Sequence, residues 1–203
     1  MRIAVMGAGA VGCYYGGLLA QAGHEVCLIG RAQHTEALKR RGLLLDAQGA
    51  VESVAVKAAT QAEGVHGAEW VLCCVKSTDT AAAAAAMAPH LAADATVISL
   101  QNGIDNPDLL RARLPQQVLP AAVYVATQMV GDGHVRHRGG GRLILGDTPK
   151  ARQAAAMFAE AGVAAESSDN IMGALWTKLI INCAYNALSA ITALPYAALS
   201  RQD

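Results

Sequence analysis

Three polar side chains recur at helical spacing around residue 180. Lys178, Asn182 and Asn186 are four residues apart, so on a helix they share one face, with Ser189 close to the same stripe. Their neighbours are mostly apolar, and a lysine in apolar surroundings is costly unless it is paired or lines a cleft. Burial would lower its pKa and make it a better proton donor near neutral pH. The pattern predicts a proton-donating lysine beside two amides; the alternative is a lysine that reaches solvent and asparagines that cap a neighbouring element.

A second group of residues, GAGAVG at positions 7–12, has the types and spacing that suit a pyrophosphate. A short apolar run, Ile3 to Met6, precedes it, and an amphipathic segment begins near Val11, so the order is strand, tight turn, helix. In this frame the first glycine permits the turn, the second lets a pyrophosphate approach, and the third lets the helix pack on the strand. Free N–H groups at the helix start attract phosphate. The predicted cofactor contacts are Gly7, Ala8, Gly9, Ala10, Val11 and Gly12. A glycine-rich turn of some other α/β protein is the alternative.

The end of the second predicted strand, Glu25 to Ile29, indicates which dinucleotide is bound. Domains that select NAD carry an acidic residue here, which accepts hydrogen bonds from the ribose 2′-hydroxyl. This chain has Gly30 and Arg31 instead. A guanidinium can hold a 2′-phosphate with paired hydrogen bonds, whereas a carboxylate would repel it. The sequence therefore predicts NADP(H), with a solvated surface arginine as the alternative.

Two further polar residues directly follow apolar strands. Lys76 comes after the run that starts at Trp70, and Asn102 comes after the run that starts at Thr96. Carboxyl ends of parallel strands meet at one edge of a sheet, so both side chains are expected near the glycine turn. Lys76 would contact the cofactor, and Asn102 would lie between cofactor and substrate. The alternatives are an exposed loop lysine and ordinary Asn-Gly turn chemistry.

The elements that must position these groups alternate between strands and helices over the first two-thirds of the chain. This alternation predicts an α/β fold with a Rossmann-like, doubly wound, mainly parallel sheet over residues 1–167. Residues 43–46 and 51–56 flank Gln48-Gly49 and predict a hairpin or two adjacent strands, and residues 129–146 predict antiparallel strands with glycine turns. From residue 170 a long, nearly buried helix is predicted to open an all-helical second domain, 168–203.

Composition excludes several classes of partner. Sixteen basic residues balance sixteen acidic ones, so neither nucleic acid nor an anionic membrane surface is a predicted partner. No apolar run is long enough to span a bilayer. Five cysteines without a CxxC pair indicate buried thiols in a reducing cytoplasm. The six histidines lack metal-ligand spacing, and His134 and His137 are predicted to lie at an exposed β-turn, so no metal site is predicted.

The ordered series of segments resembles the ketopantoate reductase (2-dehydropantoate 2-reductase) family across essentially the whole chain. The segments that carry the resemblance are GAGAVGCYYGGLLAQAGHEV, CCVKS, SLQNGI, HRGGGRLILG and LWTKLIINCAYNALSAI. It implies a cytoplasmic oxidoreductase that reduces ketopantoate to pantoate with NADPH, on the route to pantothenate and coenzyme A. A small keto acid is then the expected partner.

The resemblance also implies roles for individual residues. The proton-donating lysine of the family falls on Lys178, and its substrate-contacting asparagines fall on Asn182 and Asn186. Other roles fall on residues at the sheet edge. The cofactor-binding lysine of the family corresponds to Lys76, its active-site asparagine to Asn102, and the arginine that binds the 2′-phosphate to Arg31.

Two departures from the family pattern leave alternatives open. Tyr196 stands where many members have a further asparagine just after the proline. The helical domain of the family continues beyond the length present here and supplies a serine and an acidic residue, so the second domain is interpreted as truncated. Such a domain would leave apolar surface exposed, which favours association into a homodimer. The alternative functions are an NADP-dependent reductase of another 2-keto or hydroxy acid, and a non-catalytic NADP(H)-binding fragment or sensor.

Overall fold

A computed structural model describes residues 1–47, 49–194 and 196–199. The strands in chain order are β1 (Arg2–Met6), β2 (Glu25–Ile29), β3 (Leu43–Ala47), β4 (Ala50–Val54), β5 (Lys57–Ala59), β6 (Trp70–Cys73), β7 (Thr96–Ser99), β8 (Gln117–Gly131), β9 (His134–Gly146) and β10 (Ala165–Ser168). The α-helices are α1 (Ala10–Gln21), α2 (Ala32–Arg41), α3 (Thr80–Met87), α4 (Asn106–Arg111), α5 (Pro149–Glu160), α6 (Ile171–Thr192) and α7 (Tyr196–Leu199). Short 3₁₀ turns lie at Ala62–Val65 and Ser77–Asp79.

The strands form one sheet in the order β4-β3-β9-β8-β7-β6-β1-β2-β5, with β10 beside β9. Only the β3–β4 and β8–β9 pairings among the described strands are antiparallel. Helices cover both faces, because one apolar cluster joins the sheet to α1 and α5 and another joins it to α3 and α4. The predicted doubly wound, mainly parallel sheet is confirmed.

The central strands β1, β6 and β7 consist mostly of apolar residues because helices cover both of their faces. All four residues of β6 and all four of β7 are buried. The parallel register aligns Met6 with Cys73 and Cys73 with Ser99. The three loops that follow these strands therefore begin side by side at one edge of the sheet.

The β8–β9 hairpin bends at a run of three glycines. Gly139, Gly140 and Gly141 all have positive φ, and the register with β8 shifts between Tyr124 and Val125. A Cβ atom on Gly140 would lie 2.4 Å from the carbonyl oxygen of Tyr124, so only glycine fits this irregularity. The antiparallel pairing of β8 with β9 and the turn that joins them at Gly133 confirm the predicted antiparallel strands with glycine turns. Val123 and Val125, in the middle of β8, lie beside the loops after β6 and β7.

The other predicted hairpin also forms, since β3 and β4 pair antiparallel from Leu43 with Val54 to Ala47 with Ala50. Gln48, in its predicted turn, lies outside the described residues, as do residues 195 and 200–203 of the predicted second domain. No helix in the described part of the chain is both long and apolar enough to cross a membrane.

The prediction that helix α6 is nearly buried is wrong. Leu175 is its only residue described as buried, and Ile180 and Ile191 are 63% and 82% exposed. The helix contacts the sheet near its start, where Leu175 packs with Ala122 and Ile144. Past that contact the short helix α7 meets α6 through the rings of Tyr196 and Tyr185, while most other apolar residues of α6, such as Ile180 and Ile191, stay exposed. An apolar pattern on a helix does not specify what packs against it, which is why the sequence misled here.

Candidate active site

The glycine turn after β1 is hydrogen-bonded to the end of β2. The backbone N–H groups of Gly7 and Ala8 both donate to the carbonyl oxygen of Ile29, at 3.1 and 2.8 Å. Gly7 has φ +111°, and a Cβ atom on Gly12 would lie 2.2 Å from the Gly7 oxygen and 2.8 Å from a methyl of Val5. These are the tight turn and the close helix–strand packing expected of the first and third glycines.

The second glycine faces open space. Gly9 is the N-cap of α1, and a Cβ atom built there meets nothing within 4 Å. Glycine offers no side-chain oxygen, so the N–H groups of the first turn are left to an external acceptor. The 12-residue helix also directs its positive dipole end toward this point. The residues at the turn therefore fit the pyrophosphate of a dinucleotide.

Arg31 lies at the end of β2 and is the N-cap of α2. Its backbone oxygen accepts from the N–H groups of His34 and Thr35, both at 3.0 Å, which fixes the turn. The side chain is exposed and is not among the residues that line the cleft described below. It stands one strand further from the cleft than the glycine turn, because β2 adjoins β1 on the side away from β6.

The start of α6 is anchored at three points. The side chain of Asn170 accepts a hydrogen bond from the Gly173 N–H at 2.9 Å, which caps the helix. Leu175 is buried against Ala122. The Tyr124 hydroxyl donates to the Ala174 carbonyl oxygen at 3.3 Å. With the first turns fixed in this way, the next turn carries residue 178 over the carboxyl edge of the sheet.

The lysine of α6 meets the asparagine that follows β7. Lys178 Nζ donates to Asn102 Oδ1 at 2.8 Å and lies 5.9 Å from the centre of the Tyr124 ring. Burial lowers the pKa of Lys178 from 10.5 to about 8, because the surrounding protein desolvates the charged form. Lys178 is partly buried and paired with Asn102, which favours a lysine that lines a cleft over one that reaches solvent. A partly buried ammonium with a pKa near neutral can act as a proton donor at physiological pH.

A polar cleft of about 510 Å³ lies between α6 and the loops after β6 and β7. Lys178, Asn182 and Asn186 line it together with Lys76 and Asn102. Five of the side chains predicted from helical spacing and strand ends thus face one space, and Val11 of the glycine turn reaches it too. Ser189 is not among its lining residues; the Ser189 hydroxyl donates to the Leu194 carbonyl oxygen at 2.6 Å.

Sequence reasoning missed some residues of the cleft. Ser77 lines it directly after Lys76, and its position after a buried strand was a usable signal. Tyr196 also lines it, and its hydroxyl donates to Asn186 Oδ1; the sequence marked this residue only as a departure from the family. Tyr124 approaches Lys178 from β8, and nothing local in the sequence distinguishes it from other strand residues.

The two histidines predicted at an exposed turn are instead strand residues of β9. The His137 ring stacks on Tyr14, with centroids 4.7 Å apart and planes 11° apart. Within residues 1–47, 49–194 and 196–199, no three His, Cys, Asp or Glu side chains are grouped so that they could hold a metal ion.

Family comparisons agree with this architecture. The model of the family described as ketopantoate reductase PanE/ApbA matches residues 3–150, and the model of its C-terminal region matches residues 170–203. The chain belongs to this family. A 2-dehydropantoate 2-reductase of Pyrococcus horikoshii is a 33% identical relative, matched over 100% of this chain and 68% of its own length. A reductase role follows from membership in this family of oxidoreductases.

Solved structures of ketopantoate reductases share the fold. A crystal structure of a PanE/ApbA family ketopantoate reductase from Ralstonia eutropha is 59% identical, with a TM-score of 0.93 over 100% of this chain and 68% of that one. A ternary structure of D-mandelate dehydrogenase with NADH and anilino(oxo)acetate is 27% identical, with a TM-score of 0.91 over 100% and 68%. That protein, which has this architecture, is bound to NADH.

Proposed function

We propose that this chain catalyses the NADPH-dependent reduction of 2-dehydropantoate (ketopantoate) to pantoate, a step toward pantothenate and coenzyme A. The observation that carries the proposal is the pairing of the Lys178 ammonium with Asn102 beside the carboxyl edge of the sheet. Family membership and the names of the relatives support the choice of reaction.

The cofactor would lie across the loops at that edge. Residues 7–12 hold the pyrophosphate through the free N–H groups of α1, and Arg31 holds the 2′-phosphate at the end of β2. Lys76, exposed after β6, adds a positive charge near the phosphates of the adenosine half. The lack of a carboxylate at Gly30 and Arg31 supports NADPH over NADH.

Lys178 acts on the ketone oxygen of the substrate. When bound, the nicotinamide supplies the hydride to the keto carbon. Negative charge develops on the oxygen during this transfer, and the Lys178 ammonium stabilises that charge and then gives the oxygen a proton. Asn102 accepts one hydrogen bond from the ammonium and holds its position. Asn182 and Asn186, on the same helix face, orient the carboxylate and hydroxyl of the substrate.

The turnover rate should depend on the charge state of Lys178. Because burial places the pKa of this group at about 8, the ammonium form predominates below that pH and is lost above it. The kcat/KM of the reaction, which reports titration of the free enzyme, is therefore expected to be highest below pH 8 and to fall as pH rises through that value. A kcat/KM profile measured between pH 6 and 10 tests this, and a kcat/KM that stays level to pH 10 would contradict it.

The proposed reaction is tested by following the absorbance of NADPH with ketopantoate as substrate, beside a direct measurement of NADPH binding. The proposal predicts oxidation of NADPH and formation of pantoate. Binding without turnover would contradict it and favour a non-catalytic NADP(H)-binding module.

A second candidate is the reduction of a different 2-keto acid. Two observations favour it: Tyr196 lines the cleft, and D-mandelate dehydrogenase shares the architecture. Assaying a series of 2-keto acids with apolar and aromatic substituents beside ketopantoate separates the two candidates. Higher kcat/KM for an aromatic 2-keto acid would favour this second one.

The organisation around this activity is also part of the proposal. We assign residues 1–167 to an NADP-binding domain and residues 168–203 to the first part of a helical substrate domain. We also propose that the protein is cytoplasmic and forms a homodimer. The exposed apolar residues of α6, such as Trp176 and Ile180, support association.

A further inference from the structure

A buried polar network lies beneath the cleft, between the loops that follow β6 and β7. Its three central side chains are Thr80, Gln101 and Asn106, which are 0%, 5% and 4% exposed. None of these three side chains has a role in the proposed chemistry. Burying polar side chains is costly unless they are hydrogen-bonded, so their arrangement requires a physical explanation.

Asn106 connects this network to the cleft. Its amide Nδ2 donates to the backbone carbonyl oxygen of Asn102 at 2.8 Å and to the Ser77 hydroxyl at 3.1 Å. The Ser77 hydroxyl in turn donates to the same Asn102 carbonyl at 3.0 Å. Two donors thus converge on the backbone of the residue whose side chain accepts from Lys178.

Thr80 and Gln101 determine which way the Asn106 amide points. Gln101 Nε2 donates to Thr80 Oγ1 at 2.7 Å and to the Val75 carbonyl oxygen at 3.1 Å. The Thr80 hydroxyl therefore directs its single proton to Asn106 Oδ1, at 2.7 Å. With its oxygen engaged there, Asn106 presents its NH₂ group to Asn102. A buried network satisfied in this way specifies one arrangement.

The loop that the network holds directly follows β7 and contains a glycine. Asn102 is exposed and is followed by Gly103, which has φ +95°, and glycine restricts the backbone least. We propose that Asn106, oriented by Thr80, is a positioning residue that fixes the Asn102 backbone and so holds the Lys178 ammonium in the cleft. Its effect on turnover rests on the proposed function, but its effect on the ammonium does not.

A pair of Thr80 variants tests the proposal. Thr80→Val keeps the shape of the side chain but removes the hydroxyl that orients Asn106, whereas Thr80→Ser keeps the hydroxyl. A misplacement of about 1 Å in an active site can cost on the order of 10²-fold in rate. We expect Thr80→Val to lower kcat by roughly 10- to 100-fold, and Thr80→Ser to restore most of it. Equal kcat in wild type and Thr80→Val would overturn the proposal.

A second readout does not depend on activity. With ¹³C-labelled lysine, the resonance of Lys178, assigned by its loss in Lys178→Met, can be titrated by NMR. Loss of the Asn102 acceptor disfavours the charged form while the surroundings stay desolvating, so the midpoint should move to lower pH in Thr80→Val. The same midpoint in both proteins, or a higher one in the variant, would overturn the proposal. The other titratable groups that face this space are Lys76, Cys74, Tyr124 and Tyr196, and the Arg142 guanidinium lies 5.2 Å from the centre of the Tyr124 ring.

A remote variant controls for lost stability. Gln116 is buried directly before the start of β8, and its amide donates to the Ala92 carbonyl oxygen at 3.2 Å. Gln116→Leu removes a buried hydrogen bond there without touching the network, so the Lys178 midpoint should stay at its wild-type value. All rates and titrations are read below the unfolding temperature of each variant. If the wild type reduces no 2-keto acid, the proposed function fails, while the titration still decides the role of Asn106.

Discussion

Replacing Lys178 with alanine is expected to lower kcat by on the order of 10²- to 10⁴-fold, the contribution typical of a positioned proton donor. Its ammonium lies 2.8 Å from Asn102 inside the cleft. Lys76 is the other cation among the described lining residues, and it lies on an exposed loop. NADPH binding should change little, because the glycine turn and Arg31 belong to other elements. Stopped-flow turnover and fluorescence binding measure the two effects separately.

Two further variants test whether the loss of turnover comes from removing the Lys178 ammonium. Lys178→Met keeps most of the side-chain volume without the charge and should lose as much turnover as Lys178→Ala. Lys57→Met removes an exposed lysine of the edge strand β5, whose partner is Glu25, and should leave turnover unaltered. If Lys178→Ala retained turnover within a few-fold of wild type, Lys178 would have no part in the chemistry.

Replacing Arg31 with alanine is expected to weaken NADPH binding by on the order of 10- to 100-fold. Hydrogen bonds to a charged group are worth about 1.5–3 kcal/mol each, and every 1.4 kcal/mol changes the dissociation constant tenfold. NADH lacks the 2′-phosphate, so its affinity should change much less. Dissociation constants for both cofactors, measured by titration calorimetry at one ionic strength, give the ratio of the NADH and NADPH affinities. A change in this ratio shows whether Arg31 binds the 2′-phosphate.

A matched arginine on the same helix provides the control. Arg40 is exposed near the end of α2, opposite to the N-cap position of Arg31. Arg40→Ala makes the same change in net charge and should leave the NADPH to NADH preference as it was. If Arg31→Ala weakened both cofactors equally, the assignment of the 2′-phosphate to Arg31 would be wrong.

Local rules of chain geometry explain why much of the fold could be predicted. The glycines at 7, 9 and 12, the apolar run that starts at Trp70 and the glycines at 139–141 each have conformational consequences that depend on few neighbours. The structure has β2 at the predicted residues and α1 within one residue of its predicted start. Strand β8 extends from Gln117 to Gly131 because it pairs with β9 along the bent hairpin.

The surroundings of α6 could not be predicted in the same way. Its sequence is apolar around most of the helix, which predicted burial, but burial depends on what other elements supply. Only Ile171, Ala174 and Leu175 pack with the cluster on the sheet. Periodicity specifies which residues share a face, and it does not specify which faces are covered.

The sequence predicted which residues belong to the candidate site, but it did not predict the contacts between them. Helical spacing grouped Lys178 with Asn182 and Asn186, and strand ends grouped Lys76 with Asn102. The contact between Lys178 and Asn102 joins residues 76 positions apart, which no local pattern indicates. The same holds for Thr80 and Asn106, which look like ordinary helix-start residues in the sequence and meet only in the folded chain.

The central claim is that a phosphorylated dinucleotide at the glycine turn and the ammonium of α6 converge on one substrate. A crystal structure of the protein with NADP⁺ and an unreactive 2-keto acid analogue tests this most directly. We expect the analogue's carbonyl oxygen within hydrogen-bond distance of Lys178 Nζ, with the nicotinamide ring on its other side and the 2′-phosphate at Arg31. An analogue bound away from Lys178, or a dinucleotide that does not contact residues 7–12, would contradict it.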